Sequence, residues 1–429
     1  MSDLRHATDI VAAIRSRQVT AEQVARRCLD AINEVEPTLQ AWAHLDEEVV
    51  LEQARERDRQ QAEDPASVGL LHGVPVGVKD IVDVAGMPTA NGADIPVAAT
   101  AESDAIAVGR LRAQGAVIVG KTVTTEYALF RPGPTTNPHD ASRTPGGSSS
   151  GSAAAVGAGT IPLAIGTQTA GSVVRPASFC GIVGAKPTVG SVPRDGVTMC
   201  SSTLDTVGLL GSDVEGVAAG LGVMAADPES FTPAPVEGVR IGFCRTFEWG
   251  EVQPAARDVV EAGIQDLRRH LDVIEVALPT MMRGIVQAQQ VIMNVECADE
   301  LAEVRAQHEA LLSPKLLRVL DDGEAWRWAY GPAVDHAALG RALLDQLFAD
   351  VDVLVAPAVL GEPPGTESTG DPLLCRMWTL LGTPAIAVPG LTGPSGLPVG
   401  VQVVAPPGRD AVALGAAELI TGHLAAGGS

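Results

Sequence analysis

The segment Val74-Pro75-Val76-Gly77-Val78-Lys79-Asp80-Ile81-Val82 decides the fold class. Its apolar residues run almost without interruption, the pattern of a strand covered on both faces rather than one with a wet side. Downstream, Ala105–Ala113 has helical texture, and Ala116-Val117-Ile118-Val119 reads as a second buried strand. Leu163-Ala164-Ile165-Gly166 makes a third, and Val351–Val355 and Val399–Val404 add two more in the last third. Helices alternating with continuous apolar strands predict an α/β chain built on a largely parallel, covered sheet.

Working outward, Thr20 and Gln23 form a capping box ahead of Val24, Cys28, Leu29 and Ile32, and Pro37 is predicted to stop that helix. A second, charge-rich helix is expected from about Asp46 to Ala62, so residues 1–65 read as a helical segment. Residues 131–152 are dominated by Pro, Gly, Ser, Thr and Asn, which on composition alone is a flexible linker. An Ala-rich stretch, Ala153 to Ala158, follows directly and places the serines where a helix begins. Unpaired backbone N–H groups and the positive end of the helix dipole collect there. From about Gly216 to Asp350 helical patterns dominate, and Trp326 and Trp328 read as packing residues. With no internal repeat and no interdomain linker, residues 1–429 are expected to form one domain. Its parts are a core at about 70–210, a variable helical region at about 216–350 and C-terminal strands at 351–429.

Apolar residues make up 46% and charged residues 19% of the 429, ample for a core. Against 30 Lys+Arg stand 52 Asp+Glu, a formal charge of -22. That sign argues against nucleic acid and against an anionic membrane surface, both of which are held by clustered Lys and Arg. No secretory signal and no membrane-spanning run is visible, and the six scattered cysteines read as reduced thiols, so a cytoplasmic location is expected. Only four basic residues are lysine: Lys79, Lys121, Lys186 and Lys315. Arginine keeps its proton in a protein whereas a desolvated lysine can lose it, so each lysine is worth following.

Two motif matches fail on physical grounds. Gly115-Ala116-Val117-Ile118-Val119-Gly120-Lys121-Thr122 has the spacing of a phosphate-binding loop, but its middle residues are the best strand in the region, with their N–H groups committed to a sheet. Gly147-Ser148-Ser149-Ser150-Gly151 fits a nucleophile elbow, yet no strand precedes it and no downstream histidine has a recognisable context. The eight histidines are dispersed without metal-ligand spacing, so neither a metal nor a cofactor is expected. What remains is Lys79 behind an apolar run, where burial can lower its pKa from about 10.4 by several units. Two serine-centred loops follow, around Ser148 and Ser172. A neutral amine, a proton-relaying serine and a second serine in a tight turn are the parts of an acyl-transfer site.

At these residues the chain resembles the amidase signature family. The matching stretches are Gly73–Asp80, Pro145–Ser152, Gly166–Ala177, Cys180–Thr188, Gly382–Ala385 and Gly396–Gln402, in the family's order. The Gly166–Arg175 stretch looks most like the malonamidase branch. The resemblance implies the amidase signature fold, a large mixed, mostly parallel β-sheet covered by helices on both faces. It also implies a Ser-Ser-Lys triad with Ser172 as nucleophile, Ser148 as bridging serine and Lys79 as base. The oxyanion would rest on the backbone of Thr169, Ala170, Gly171 and Ser172. Position 170 is Ala where many relatives have Gly, which is tolerated only without a positive φ. Arg175 would be either a clamp for a substrate carboxylate or a scaffold salt bridge. Phe130 and Trp378 are expected near the acyl pocket.

The implied activity is hydrolysis of linear amides, small or carboxylate-bearing ones favoured, through an acyl-enzyme. Aryl amides, anilides, esters and carbamates (urethanes) are alternative substrates for the same triad. The contrasting reading is the glutaminase-like component of a tRNA-dependent amidotransferase, against which the acidic charge, Gln168 and Val173-Val174-Arg175 argue. The expected partner is a small-molecule amide, with a homodimer as the family expectation.

Overall fold

A computed structural model describes residues 5–97 and 99–427. Its strands are β1 (Trp42–Leu45), β2 (Pro75–Lys79), β3 (Val117–Thr122), β4 (Leu163–Gln168), β5 (Val183–Lys186) and β6 (Thr206–Gly211). They continue with β7 (Ile241–Phe243), β8 (Val273–Glu275), β9 (Val353–Pro357), β10 (Ala385–Val388) and β11 (Val401–Val404). All join one eleven-stranded sheet in the order β1-β3-β2-β4-β6-β5-β10-β11-β9-β7-β8. Every residue of β2, β3, β4 and β6 is buried, as their unbroken apolar runs demand.

The sheet is mixed, but parallel pairing does not dominate. The pairs β2–β3, β2–β4, β7–β8 and β7–β9 are parallel, while β1–β3, β4–β6, β5–β6, β5–β10, β10–β11 and β9–β11 are antiparallel. A strand covered on both faces is apolar throughout whichever way its neighbour runs, so its sequence shows burial and not direction. Helices do cover both faces. The helix Val214–Ala225 sets Gly220 against Leu209 and Leu163, whereas Ser149, ahead of the helix Ser150–Gly157, lies against Gly166 on the other side.

The N-terminal segment is helical, with the Thr20–Gln23 capping box in place and Asp46 capping the helix Glu47–Glu63. Pro37 does not stop its helix. It lies inside Ala21–Leu39, which ends at Gln40 with φ 50°. The hydrogen bond that Pro37 cannot make falls in the last turn, where the ladder is about to end anyway. Trp328 also departs from expectation. It is 80% exposed, on the outer side of the helix Pro314–Ala342, while Trp326 is half-buried.

Candidate active site

The parallel strands β2 and β4 lie side by side, with Gly77 opposite Ala164 and Val78 opposite Ile165, so their C-terminal ends emerge together. Lys79 is the last residue of β2, and Thr167 and Gln168 close β4. Ser148 stands just ahead of the helix Ser150–Gly157, after a cis Gly147–Ser148 peptide. Lys79 Nζ lies 2.7 Å from Ser148 Oγ and 2.8 Å from Thr167 Oγ1. It is wholly buried, and among the described residues no carboxylate stands within ion-pair distance of it. Burial pulls the ammonium down to about 7, with Asp205 and Cys200 pulling the other way. An amine in that state is available as a proton acceptor near neutral pH.

Beyond β4 the chain turns through Thr169-Ala170-Gly171-Ser172 before the short helix Val174–Cys180. Gln168 Oε1 accepts from the N–H groups of both Val173 (2.9 Å) and Val174 (3.0 Å). The N–H groups of Ala170, Gly171 and Ser172, in contrast, carry no hydrogen bond among the described residues. Three donors left free in a buried turn are what a developing oxyanion requires. Ala170 has no positive φ, so its methyl group does not strain the turn. Gly171 sits in tight space, because a Cβ there would stand 3.0 Å from both Cys375 Cβ and Pro372 Cβ, and both would have to give by a few tenths of an ångström. The Ser172 hydroxyl is nearly buried and makes no side-chain hydrogen bond among the described residues.

Residues without a sequence signal hold this turn. Asp205 Oδ1 accepts from Thr169 Oγ1 at 2.5 Å, and its Oδ2 accepts from Cys200 N and Ser201 N. Gln289 Nε2 donates to the Thr169 carbonyl and Thr379 Oγ1 to the Ala170 carbonyl. They come from a loop and two helices far apart in sequence, so only the folded chain assembles them.

Arg175 is buried and forms no salt bridge among the described residues, so the scaffold ion pair is absent. It donates instead from Nη2 to the carbonyl of Gly147, next to Ser148, and leaves Nε and Nη1 without partners. Phe130 is half-buried against the core. Trp378 is wholly enclosed, its indole Nε1 unpaired, and so forms part of the packing beneath the helix Leu373–Leu380. The rejected phosphate loop is indeed a strand, β3, and its Lys121 pairs with Asp80 at 3.0 Å. Among the described residues no cluster of His, Cys, Asp or Glu could hold a metal ion, and no helix is long and apolar enough to cross a membrane.

The sequence model of the Amidase family matches residues 23–414. The chain belongs to the amidase family. A glutamyl-tRNA(Gln) amidotransferase subunit of Rhodopirellula baltica is 34% identical, over 94% of this chain and 93% of its own. A crystal structure of an amidase superimposes with a TM-score of 0.88 at 29% identity, covering 96% of this chain and 98% of that one. The native peptide amidase of Stenotrophomonas maltophilia does so with a TM-score of 0.79 at 28% identity, covering 96% of each. This amidase family chain is an enzyme acting on C–N bonds.

Proposed function

We propose that the chain is a stand-alone amidohydrolase of the cytoplasm that cleaves linear amide C–N bonds through Lys79, Ser148 and Ser172. The observation that carries this reading is the buried Lys79 amine, 2.7 Å from Ser148 Oγ and free of any carboxylate partner among the described residues. Neutral Lys79 takes the proton of Ser148, which takes that of Ser172 as Ser172 Oγ attacks the carbonyl carbon. The resulting oxyanion is met by the free N–H groups of the 170–172 turn. Ser148 then delivers the proton to the departing nitrogen, leaving an acyl ester on Ser172. Water, deprotonated by the same relay, cleaves that ester and returns the free acid. No metal or cofactor takes part in these steps.

Small amides, including carboxylate-bearing ones, are the substrates this reading favours, because the two unpartnered nitrogens of buried Arg175 suit an anion. Aryl amides, esters and carbamates run through the same steps. The test is amine release from such a panel, with mass spectrometry of the stalled enzyme. An acyl adduct on Ser172 is expected, and full turnover by Ser172→Ala with an intact fold overturns the mechanism.

The second reading, a glutaminase-like component of a larger amidotransferase, is favoured by the 34% identity to such a protein over nearly the whole chain. Efficient glutamine hydrolysis only with co-purifying subunits would establish it. Turnover of simple amides by the isolated chain, or by a homodimer of it, favours the first.

A further inference from the structure

Each of the three peptide groups that offer a free N–H in the turn after β4 has its carbonyl tied down. The Thr169 carbonyl accepts from Gln289 Nε2 at 2.9 Å and the Ala170 carbonyl from Thr379 Oγ1 at 2.8 Å. The Gly171 carbonyl accepts from the N–H of Arg175 at 2.9 Å. These peptides are trans. In a trans peptide the carbonyl and the next residue's N–H share one plane and point in opposite directions. Gln289 therefore sets the direction of the Ala170 N–H, and Thr379 that of the Gly171 N–H. The first turn of the helix Val174–Cys180 sets that of the Ser172 N–H.

The anchors matter because the alternative reverses the field. A peptide that rotates between its flanking Cα atoms puts a carbonyl where the N–H stood, and a carbonyl repels an oxyanion. Gly171 has no Cβ to resist that rotation, so the peptides beside it depend on their carbonyl bonds. Both side-chain anchors are themselves oriented. Arg376, a donor only, gives a hydrogen from Nη1 to Gln289 Oε1, which leaves the amide nitrogen of Gln289 to face Thr169. The N–H groups of Val173 and Val174 hold Gln168 Oε1, so Gln168 Nε2 donates to Thr379 Oγ1 at 3.0 Å. The single hydrogen of Thr379 then goes to the Ala170 carbonyl, which is closer than that of Cys375 at 3.2 Å. Gln289 and Thr379 are both fully buried, out of competition with water.

We propose that Gln289 and Thr379 are positioning residues that aim the Ala170 and Gly171 N–H groups at the carbonyl oxygen as it becomes an oxyanion. This rests on the amidohydrolase reading above. The experiment uses the best amide substrate and two inhibitors with the same acyl group. One is a trifluoromethyl ketone, to which Ser172 Oγ adds to leave an oxyanion; the other is the corresponding alcohol, which forms none. Thr379→Val, which keeps the side chain's shape, and Gln289→Met are expected to lower kcat/KM and weaken the ketone by matching factors. Each factor is about 10- to 100-fold, less than the roughly 10²–10³ that outright removal of one donor costs. The alcohol binds as before, and Thr379→Ser, which returns the hydroxyl, restores both rate and ketone binding. A loss shared equally by ketone and alcohol would mean that the two residues only pack the site, and would overturn the proposal. Folded variants that keep full rate and ketone affinity overturn it too, while leaving amide hydrolysis standing. Wild type that hydrolyses no amide would instead remove the amidohydrolase reading, and the proposal with it. Should Gln289→Met not fold, Thr379→Val against Thr379→Ser decides the matter alone.

Discussion

Lys79 and Lys121 sit on adjacent parallel strands, one residue apart in register, and both are wholly buried. Val78 is opposite Lys121 and Lys79 is opposite Thr122, so the two amines leave the sheet on opposite faces. Lys121 meets Asp80 at 3.0 Å and donates to the Pro88 carbonyl and Thr89 Oγ1. Lys79 meets two hydroxyls and no carboxylate. Lys186 makes a third case. Burial takes it to about 7 as well, yet its Nζ donates to the carbonyls of Pro187 and Thr383, which have no proton to exchange. Burial therefore lowers the pKa of all three amines, with Asp80 opposing it at Lys121, and the partner decides whether losing a proton does anything.

The sharpest way to break the comparison is to remove each amine. Lys79→Met is expected to lower kcat by about 10²–10⁴-fold, the range for loss of a general base, while the protein stays folded because no buried charge is orphaned. Lys121→Met does the reverse. It leaves Asp80 buried without its cation, which costs about 3–5 kcal/mol, and turnover per folded molecule persists. Denaturant titration beside initial rates separates the two; equal losses of activity in both variants would mean that the faces are not distinct.

A smaller effect probes the electrostatics. Lys79 must be neutral to accept a proton, so kcat/KM should rise with pH through about 7 and level off above it. The groups felt by Lys79 are Asp205 and Cys200, which favour its charged form, and Arg175, which opposes it. Asp205→Asn removes the larger attraction, and the rise then moves to lower pH. A fall in rate with the pH profile unmoved would leave Asp205 only its hydrogen bonds to Thr169, Cys200 and Ser201.

The contrast between the two faces was half legible in the sequence. Unbroken apolar runs exposed β2, β3, β4, β9 and β11, and β3 being a strand disposed of the phosphate-loop match around Lys121. The strands β7 and β8 escaped because each is three residues long inside a region of helical texture, and strand direction left no trace in residues covered on both sides. At the site, Lys79, Ser148 and Ser172 stood out through local motifs. Asp205, Gln289 and Thr379 did not, because each touches the turn from a distant segment and none lies in a pattern of its own. Pro37 and Trp328 misled for the opposite reason. Their residue types carry strong averages that one turn of helix and one exposed helix face override.

The finest comparison lies within the turn itself, between Ala170 and Gly171. The two are neighbours and both small, but the geometry separates them. At Gly171 a Cβ would stand 3.0 Å from both Pro372 Cβ and Cys375 Cβ, so Gly171→Ala asks both neighbours to give by a few tenths of an ångström beside the free N–H groups. At Ala170 no positive φ asks for glycine, and the methyl group is already accommodated. Ala170→Gly should therefore act mainly on the unfolded chain, by giving it more conformations to lose. The expected cost is about 0.4–1 kcal/mol of stability. It is read as a lower denaturation midpoint at constant m-value, with kcat/KM changed by no more than about twofold, the scale of a half-kilocalorie perturbation. A gain in kcat/KM instead would mean that the methyl group restrains the oxyanion donors, and that the turn trades rate for rigidity at this one position.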